Sequence, residues 1–199
     1  MEPRQANVTR STRETQVRVQ LHLDGSGRHR IQTSLGFYDH MLTQLAVHGL
    51  FDLEVEAQGD THIDPHHLWE DVALALGQAF DQALGTRSGL VRMGHAYVPL
   101  DEALARVVVD LSGRPYARTN AAWHTPYLGQ DAIPVTLVGH FFRSFATTAR
   151  ATIHAEVLYG EDDHHQAEAL FKALARALHM ATRLDPQRQG RVPSSKGVL

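Results

Sequence analysis

The sequence predicts an α+β protein in which one unit of strands and helices occurs twice. The chain aligns with itself at an offset of about 100 residues, from His40 to His140. In both copies, stretches with alternating apolar residues precede stretches with apolar residues at helical spacing. Because such strands and helices must bury their apolar faces against each other, we expect a tandem duplicated sheet-and-helix sandwich.

The first copy contains the expected elements in a clear order. Residues 17–23 alternate between apolar and polar, and the turn sequence 24–27 follows. A helix is predicted from residue 40, a strand over 51–57 and a second helix from residue 66. Each half is therefore expected to contain two or three strands, a helix, a strand and a helix.

The second copy repeats this order. Strands are predicted over 93–100 and 107–111, separated by a turn at Asp101 and Glu102. A helix from residue 140, a strand over 153–157 and a helix from residue 164 follow. We therefore divide the chain into a first half-repeat (1–88), a second half-repeat (89–184) and a polar C-terminal tail (185–199), which together form one compact unit.

The composition excludes several classes of protein. A formal net charge of -3 and an isoelectric point near 6.5 provide no basic field for nucleic acid, so no such partner is expected. No run of about 18 apolar residues and no apolar N-terminal region occur, so we expect neither a membrane span nor a secretory signal, and a cytoplasmic location is compatible. Without cysteine, any metal must be bound through His, carboxylate or water.

The strongest functional signal is a His-His-x-x-Glu motif that opens the second helix of each copy. Residues three or four positions apart share a helix face, whereas adjacent histidines diverge by about 100° and can serve different ions. With one further histidine from each copy, the motifs give six imidazoles and two carboxylates, or three His and one Glu for each of two ions. The set is His40, His66, His67, Glu70, His140, His164, His165 and Glu168.

Two octahedral ions bound in this way would each keep two open positions, which is typical of reactive sites. The nitrogen and oxygen ligands admit Mn, Fe, Co, Ni or Zn without choosing among them. A single helical histidine is more often an ordinary surface or core residue, but the duplication makes a chance pattern improbable. A dinuclear metal hydrolase and a metal-storage or metal-sensing protein remain alternative functions.

Long motifs give the chain a resemblance to a known family. The stretches RSTRET, GFYDHML, GDTHIDPHHLWED, LSGRPY, HHQAEALFKALARAL and PSSKG resemble imidazoleglycerol-phosphate dehydratases over almost the whole chain. The resemblance implies ribosomal protein S5 domain 2-like halves and a lyase of histidine biosynthesis. It also implies two Mn²⁺ ions per active site that bind the substrate imidazolate, and a homo-oligomer of trimers assembled into a 24-mer, with sites at subunit interfaces.

The resemblance further implies roles for individual residues. The eight residues of the duplicated set become the metal ligands, and Glu14 becomes the acid/base, although its polar surroundings alone favour an ordinary solvated charge. The residues implied to bind the phosphorylated substrate are Gln44, His48, Arg92, Arg114, Ser194, Ser195 and Lys196. The tail that contains the last three of these would otherwise be expected to lack regular structure.

Overall fold

The computed structural model describes residues 3–199, so the first two residues of the predicted unit 1–88 lie outside the described residues. The first half contains β1 (Gln5–Ser11), β2 (Thr15–His22), β3 (His29–Gln32), α1 (Gly36–Gly49), β4 (Asp52–Gly59) and α2 (His66–Leu84). The second contains β5 (Met93–Leu100), β6 (Ala103–Asp110), β7 (Tyr116–Asn120), β8 (Tyr127–Leu128), β9 (Ile133–Pro134), α3 (Thr136–Ala149), β10 (Thr152–Tyr159) and α4 (Asp163–Thr182). The predicted duplicated α+β fold is confirmed.

The two four-stranded sheets have equivalent topologies. Their strand orders are β1-β2-β4-β3 and β5-β6-β10-β7, with antiparallel pairs except for the last strand of each sheet, which runs parallel to its neighbour. The short hairpin of β8 and β9 has no counterpart among residues 3–88. Its connection nevertheless has a structural role, because Asp131 accepts a hydrogen bond from the backbone N–H of Phe37 (2.8 Å) at the start of α1.

The four long helices lie between the two sheets. Alternate residues of β2 and β6, including Val17, Val19, Val107 and Val109, are buried against the helices, whereas their neighbours face outward. Helix α2 packs on β1 and β2, and helix α4 packs on β5 and β6. Across the middle of the molecule, α2 contacts α3 and α1 contacts α4, so that one continuous apolar core joins both halves.

The contact between α2 and α3 is unusually close at Gly77. A Cβ atom at this position would overlap with the Thr148 hydroxyl and with the carbonyl oxygen of Phe145. The Thr148 hydroxyl also donates a hydrogen bond to the carbonyl oxygen of Leu74 (2.7 Å). The absence of a side chain at residue 77 therefore allows the two helix backbones to approach.

Each helix begins at the predicted residue or up to four residues before it, and acidic residues bind the free N–H groups at two of the starts. Asp162 is the N-cap of α4 and accepts hydrogen bonds from the N–H groups of His164 (2.7 Å) and His165 (3.3 Å). In α2 the N-cap is Pro65, which makes no side-chain hydrogen bond. The carboxylate of Asp64, one residue earlier in the chain, instead accepts a hydrogen bond from the N–H of His66 (2.6 Å). Among residues 3–199, no helix combines the length and apolar character needed to cross a membrane.

We expect Gly77→Ala to lower the free energy of unfolding, because the added methyl group must separate α2 from α3. Overpacking costs about 1–3 kcal/mol, which exceeds the gain of about 1 kcal/mol from replacing a helical glycine. Thermal or denaturant unfolding at a fixed protein concentration measures the effect. Gly139→Ala in α3 is the matched control, because its nearest neighbour is the flexible end of Arg143, at 3.4 Å. Equal stabilities of the two variants would contradict this account of the helix contact.

Candidate metal centre

Six of the eight predicted ligands form two clusters, and each cluster joins helices from different halves. The α2–α3 cluster contains His66, Glu70 and His140, and the α1–α4 cluster contains His40, His164 and Glu168. Within each cluster, one nitrogen or oxygen atom per residue lies within 4.8 Å of the others, which is suitable for binding one ion. The sequence left the pairing of ligands open, and the structure pairs each motif with the histidine of the opposite half.

The α1–α4 cluster converges on one carboxylate oxygen. Glu168 Oε2 lies 2.9 Å from His40 Nε2 and 3.2 Å from His164 Nε2, while Lys172 Nζ lies 2.6 Å from Oε1. Burial alone would raise the pKa of Glu168, but hydrogen bonds from Lys172 and His40 outweigh it and lower the pKa to about 2. Glu168 is therefore an ionised carboxylate with one oxygen already paired to the ammonium group of Lys172.

The α2–α3 cluster is looser. His140 Nε2 lies 3.5 Å from Glu70 Oε1, and His66 Nε2 lies 3.7 Å from Glu70 Oε2. His140 Nε2 is buried without a hydrogen-bond partner, and burial lowers the pKa of His140, which favours the neutral imidazole. A buried, unpartnered imidazole nitrogen beside a carboxylate and a second imidazole fits a divalent cation.

His67 and His165 lie outside both clusters, although the sequence grouped them with the other ligands. His67 Nδ1 lies 3.1 Å from each carboxylate oxygen of Asp60, and His165 Nδ1 lies 2.8 Å from Glu102 Oε2. The hydrogen bond from His165, together with one from the N–H of Asp162, lowers the pKa of Glu102 to about 2. Each cluster thus contains two histidines and one glutamate rather than the three histidines and one glutamate anticipated.

Glu14 lies in the turn between β1 and β2, which is anchored to α2 by a buried carboxylate. Asp71 accepts hydrogen bonds from Arg10 Nε (2.6 Å) and from the hydroxyl groups of Thr12 and Thr15. Asp71 directly follows Glu70, which belongs to the α2–α3 cluster. The same turn of α2 therefore positions both the cluster and the segment that contains Glu14.

The carboxylate of Glu14 is more than half exposed and lies beside the first motif. Its Oε2 is 3.8 Å from His67 Nδ1, which is beyond hydrogen-bond range. The backbone is more firmly held, because the N–H of Asp60 donates to the carbonyl oxygen of Glu14 (3.2 Å). The turn is thus fixed in place while the carboxylate remains available for other partners.

Gln44 and His48 follow His40 on one face of α1. Gln44 Nε2 lies 3.3 Å from His40 Nδ1, so this amide contacts the ring nitrogen that faces away from Glu168. Burial and the nearby charge of Lys172 lower the pKa of His48. The structure therefore brings both predicted substrate contacts to the helix face that supplies the α1–α4 cluster.

Three of the predicted substrate contacts share a surface concavity. Arg92, Ser194 and Ser195 line it, together with other residues of the tail. The Arg92 guanidinium is already engaged, because it donates to both oxygens of Asp110 (2.7 and 3.0 Å) and to the carbonyl oxygen of Pro193 (2.7 Å). Arg92 thus holds the tail against β6 in this conformation, and the tail is ordered largely by such contacts rather than by regular structure.

Arg114 and Lys196 are not part of this concavity. Arg114 donates to the carbonyl oxygen of Ser112 (3.2 Å) in the turn that precedes β7. Lys196 is exposed, and its backbone N–H donates to Ser194 Oγ (3.2 Å). Neither residue therefore lines the concavity that contains Arg92, Ser194 and Ser195.

Four residues with clear structural roles were missed by the sequence reasoning: Asp60, Asp71, Glu102 and Lys172. The spacing of Lys172, four residues after Glu168 on one helix, could have revealed their ion pair. Asp71 immediately follows the first motif, but its partners lie 56 to 61 residues away. No local sequence pattern predicts the contact between Glu102 and His165, because these residues are 63 positions apart in the chain.

We expect His140→Ala to abolish metal binding at the α2–α3 cluster and to leave the α1–α4 cluster competent, because the clusters share no residue. Metal analysis of dialysed protein measures the result as a loss of one class of bound ion. His95→Ala, which removes an exposed imidazole from β5, is the control and should retain the full metal content. Loss of all metal from His140→Ala would argue against two independent clusters.

Comparisons with known proteins identify the family of this chain. Residues 33–178 match the family model described as imidazoleglycerol-phosphate dehydratase. Proteins of that name from Chloroflexus aggregans and a Roseiflexus species are 57% and 56% identical over 196 residues, or 98% of this chain and 95% and 98% of theirs. The crystal structure of the Pyrococcus furiosus enzyme, in complex with (S)-C348, is 37% identical, with a TM-score of 0.82, and the match covers 96% of this chain and 100% of that one. The chain therefore belongs to the imidazoleglycerol-phosphate dehydratase family, whose members are hydro-lyases.

Proposed function

We propose that this chain converts D-erythro-imidazoleglycerol phosphate into imidazole acetol phosphate and water in histidine biosynthesis, with two Mn²⁺ ions per active site. The observation that supports this proposal is the pair of His/Glu clusters. Each cluster offers imidazole and carboxylate ligands, with no thiolate, which suits manganese as well as other divalent ions. When bound, such ions would supply Lewis-acid stabilisation of the deprotonated imidazole ring of the substrate.

We further propose that subunits of a homo-oligomer complete the metal sites. Each cluster contains two histidines instead of three, and His67 and His165 remain outside the clusters with Nδ1 bound to a carboxylate. That arrangement leaves Nε2 of each ring as a ligand for another chain. It favours the trimers and 24-mers implied by the family, with one ligand of each ion donated across an interface.

In the proposed elimination, some residues of this chain bind the substrate and one transfers a proton. The substrate loses a hydroxyl group from the carbon next to the ring and a hydrogen from the following carbon, which gives an enol that tautomerises to the ketone. We assign removal of the carbon-bound proton to Glu14, because its exposed carboxylate is held beside the first motif without a hydrogen bond to His67. Gln44 and His48 would contact the substrate from α1.

The phosphate group is distant from the bond that breaks, so its contacts act by positioning the reacting carbon. Ser194 and Ser195 offer hydroxyl donors beside Arg92, and Lys196 and Arg114 would contribute charges from outside the concavity. Arg92 would exchange its carbonyl contact with the tail for the phosphate while keeping its pairing with Asp110. Assembly of these groups from neighbouring subunits is consistent with the sharing proposed for the metal ligands.

The decisive experiment is a metal-stripped assay. We expect the protein without metal to be inactive, and Mn²⁺ to restore formation of the ketone from imidazoleglycerol phosphate. Quantification of the product also separates the alternatives, because a dinuclear hydrolase would consume water and release phosphate or another hydrolysis product. A storage or sensing protein would bind the ions and transform nothing. Failure to form ketone with any of the admissible metals would overturn the proposal.

Glu14→Gln should lower turnover by about 10²–10⁴-fold, because the amide cannot accept the proton from carbon. Metal content and substrate affinity should remain unchanged, since the side chain belongs to neither cluster. Steady-state kinetics and metal analysis measure these effects. Glu54→Gln, an exposed residue of β4 paired with Arg30, is the charge-matched control and should keep normal turnover. Normal turnover of Glu14→Gln would reject this residue as the acid/base.

A further inference from the structure

The duplication places one glutamate at equivalent points of the two halves. Glu14 lies in the turn between the first two strands of its half, and Glu102 lies in the corresponding turn between β5 and β6. Each carboxylate faces the second histidine of the motif in its own half. The distance to Nδ1 is 3.8 Å from Glu14 to His67 and 2.8 Å from Glu102 to His165.

The two equivalent glutamates have different partners. Glu102 is fully engaged, because Oε2 accepts from the ring of His165 and Oε1 accepts from the backbone N–H groups of Glu161 (3.1 Å) and Asp162 (2.8 Å). In the first half, Asp60 takes over the ring contact, with both carboxylate oxygens 3.1 Å from Nδ1 of His67. The carboxylate of Glu14 is consequently not needed to hold the ring.

The length of one connection explains this difference. Residues 60–65 join β4 to α2, whereas only residues 160–162 join β10 to α4. The longer connection forms a turn, in which the N–H of Ile63 donates to the carbonyl oxygen of Asp60 (2.8 Å). This turn places the carboxylate of Asp60 beside the ring of His67. The shorter connection is instead bound through its own N–H groups by Glu102.

We propose that Asp60 and Glu102 are positioning residues that orient His67 and His165 as metal ligands, and that Asp60 leaves Glu14 free for proton transfer. This inference rests on the proposed function. An ionised carboxylate can only accept hydrogen bonds, so the ring nitrogen that faces it must carry the proton. The lone pair then resides on Nε2, at the outer end of a ring whose orientation is fixed.

The proposal predicts that each carboxylate controls one ion only. In Glu102→Gln or Asp60→Asn, the amide can present either a donor or an acceptor to Nδ1, so the tautomer is no longer fixed. We expect each variant to bind one Mn²⁺ per subunit with the affinity of the unmodified protein and the second about 10–100-fold more weakly. The double variant should bind both ions weakly. Equilibrium dialysis against Mn²⁺ measures stoichiometry and affinity without recourse to the reaction.

Control variants separate this role from others. Glu161→Gln removes a negative charge from an exposed side chain in the loop that Glu102 binds. Glu14→Gln removes the carboxylate that is equivalent to Glu102 in the first half. Both variants should bind two ions normally. Normal binding of two ions by both Glu102→Gln and Asp60→Asn would overturn the inference. Equal weakening of both ions in either single variant, with a lower unfolding temperature of the metal-free protein, would also overturn it by indicating a general structural role. If the unmodified protein binds no Mn²⁺, the metal assignment of the proposed function itself fails.

Discussion

The packing of helices from opposite halves is the constraint on which the site depends. Helix α2 meets α3 closely at Gly77, and α1 meets α4 on the other side of the same core. The cluster residues lie in the first two turns of these four helices, so a small change in helix separation moves ligand atoms directly. The apolar core between the sheets therefore does more than stabilise the fold, because it determines which imidazole faces which carboxylate.

The duplication produces two clusters with the same residue types and different electrostatic surroundings. Glu168 is nearly buried and paired with Lys172, whereas Glu70 is 40% exposed and the residue four positions further along is Leu74. A buried carboxylate that already neutralises a cation is a weaker attractor for a divalent ion than a free one, although its geometry is better fixed. The two ions of the proposed site would thus be bound with different strengths by ligand sets of identical composition.

The sequence predicted the four helices, five of the strands and the ligand candidates because those depend on local periodicity and on a repeated motif. It did not predict β1, β7 or the β8–β9 hairpin. It could not predict the pairing of His140 with Glu70, which needs the packing of α2 on α3. It also missed Asp131, because the partner of this residue, the N–H of Phe37 at the start of α1, lies 94 positions away in the chain. The pairing of Arg92 with Asp110 likewise depends on the position of β6 and could not be predicted from spacing.

The proposed sharing of two histidines between chains would connect metal binding to assembly. Asp60 and Glu102 contact the Nδ1 atoms of His67 and His165, and each cluster in the same chain contains two imidazoles. If each ion takes its last histidine from another chain, it binds the assembled state more tightly than the isolated subunit. By thermodynamic linkage the same free energy stabilises the oligomer when metal is present. Orientation of these two rings within one subunit would then contribute to association as well as to catalysis.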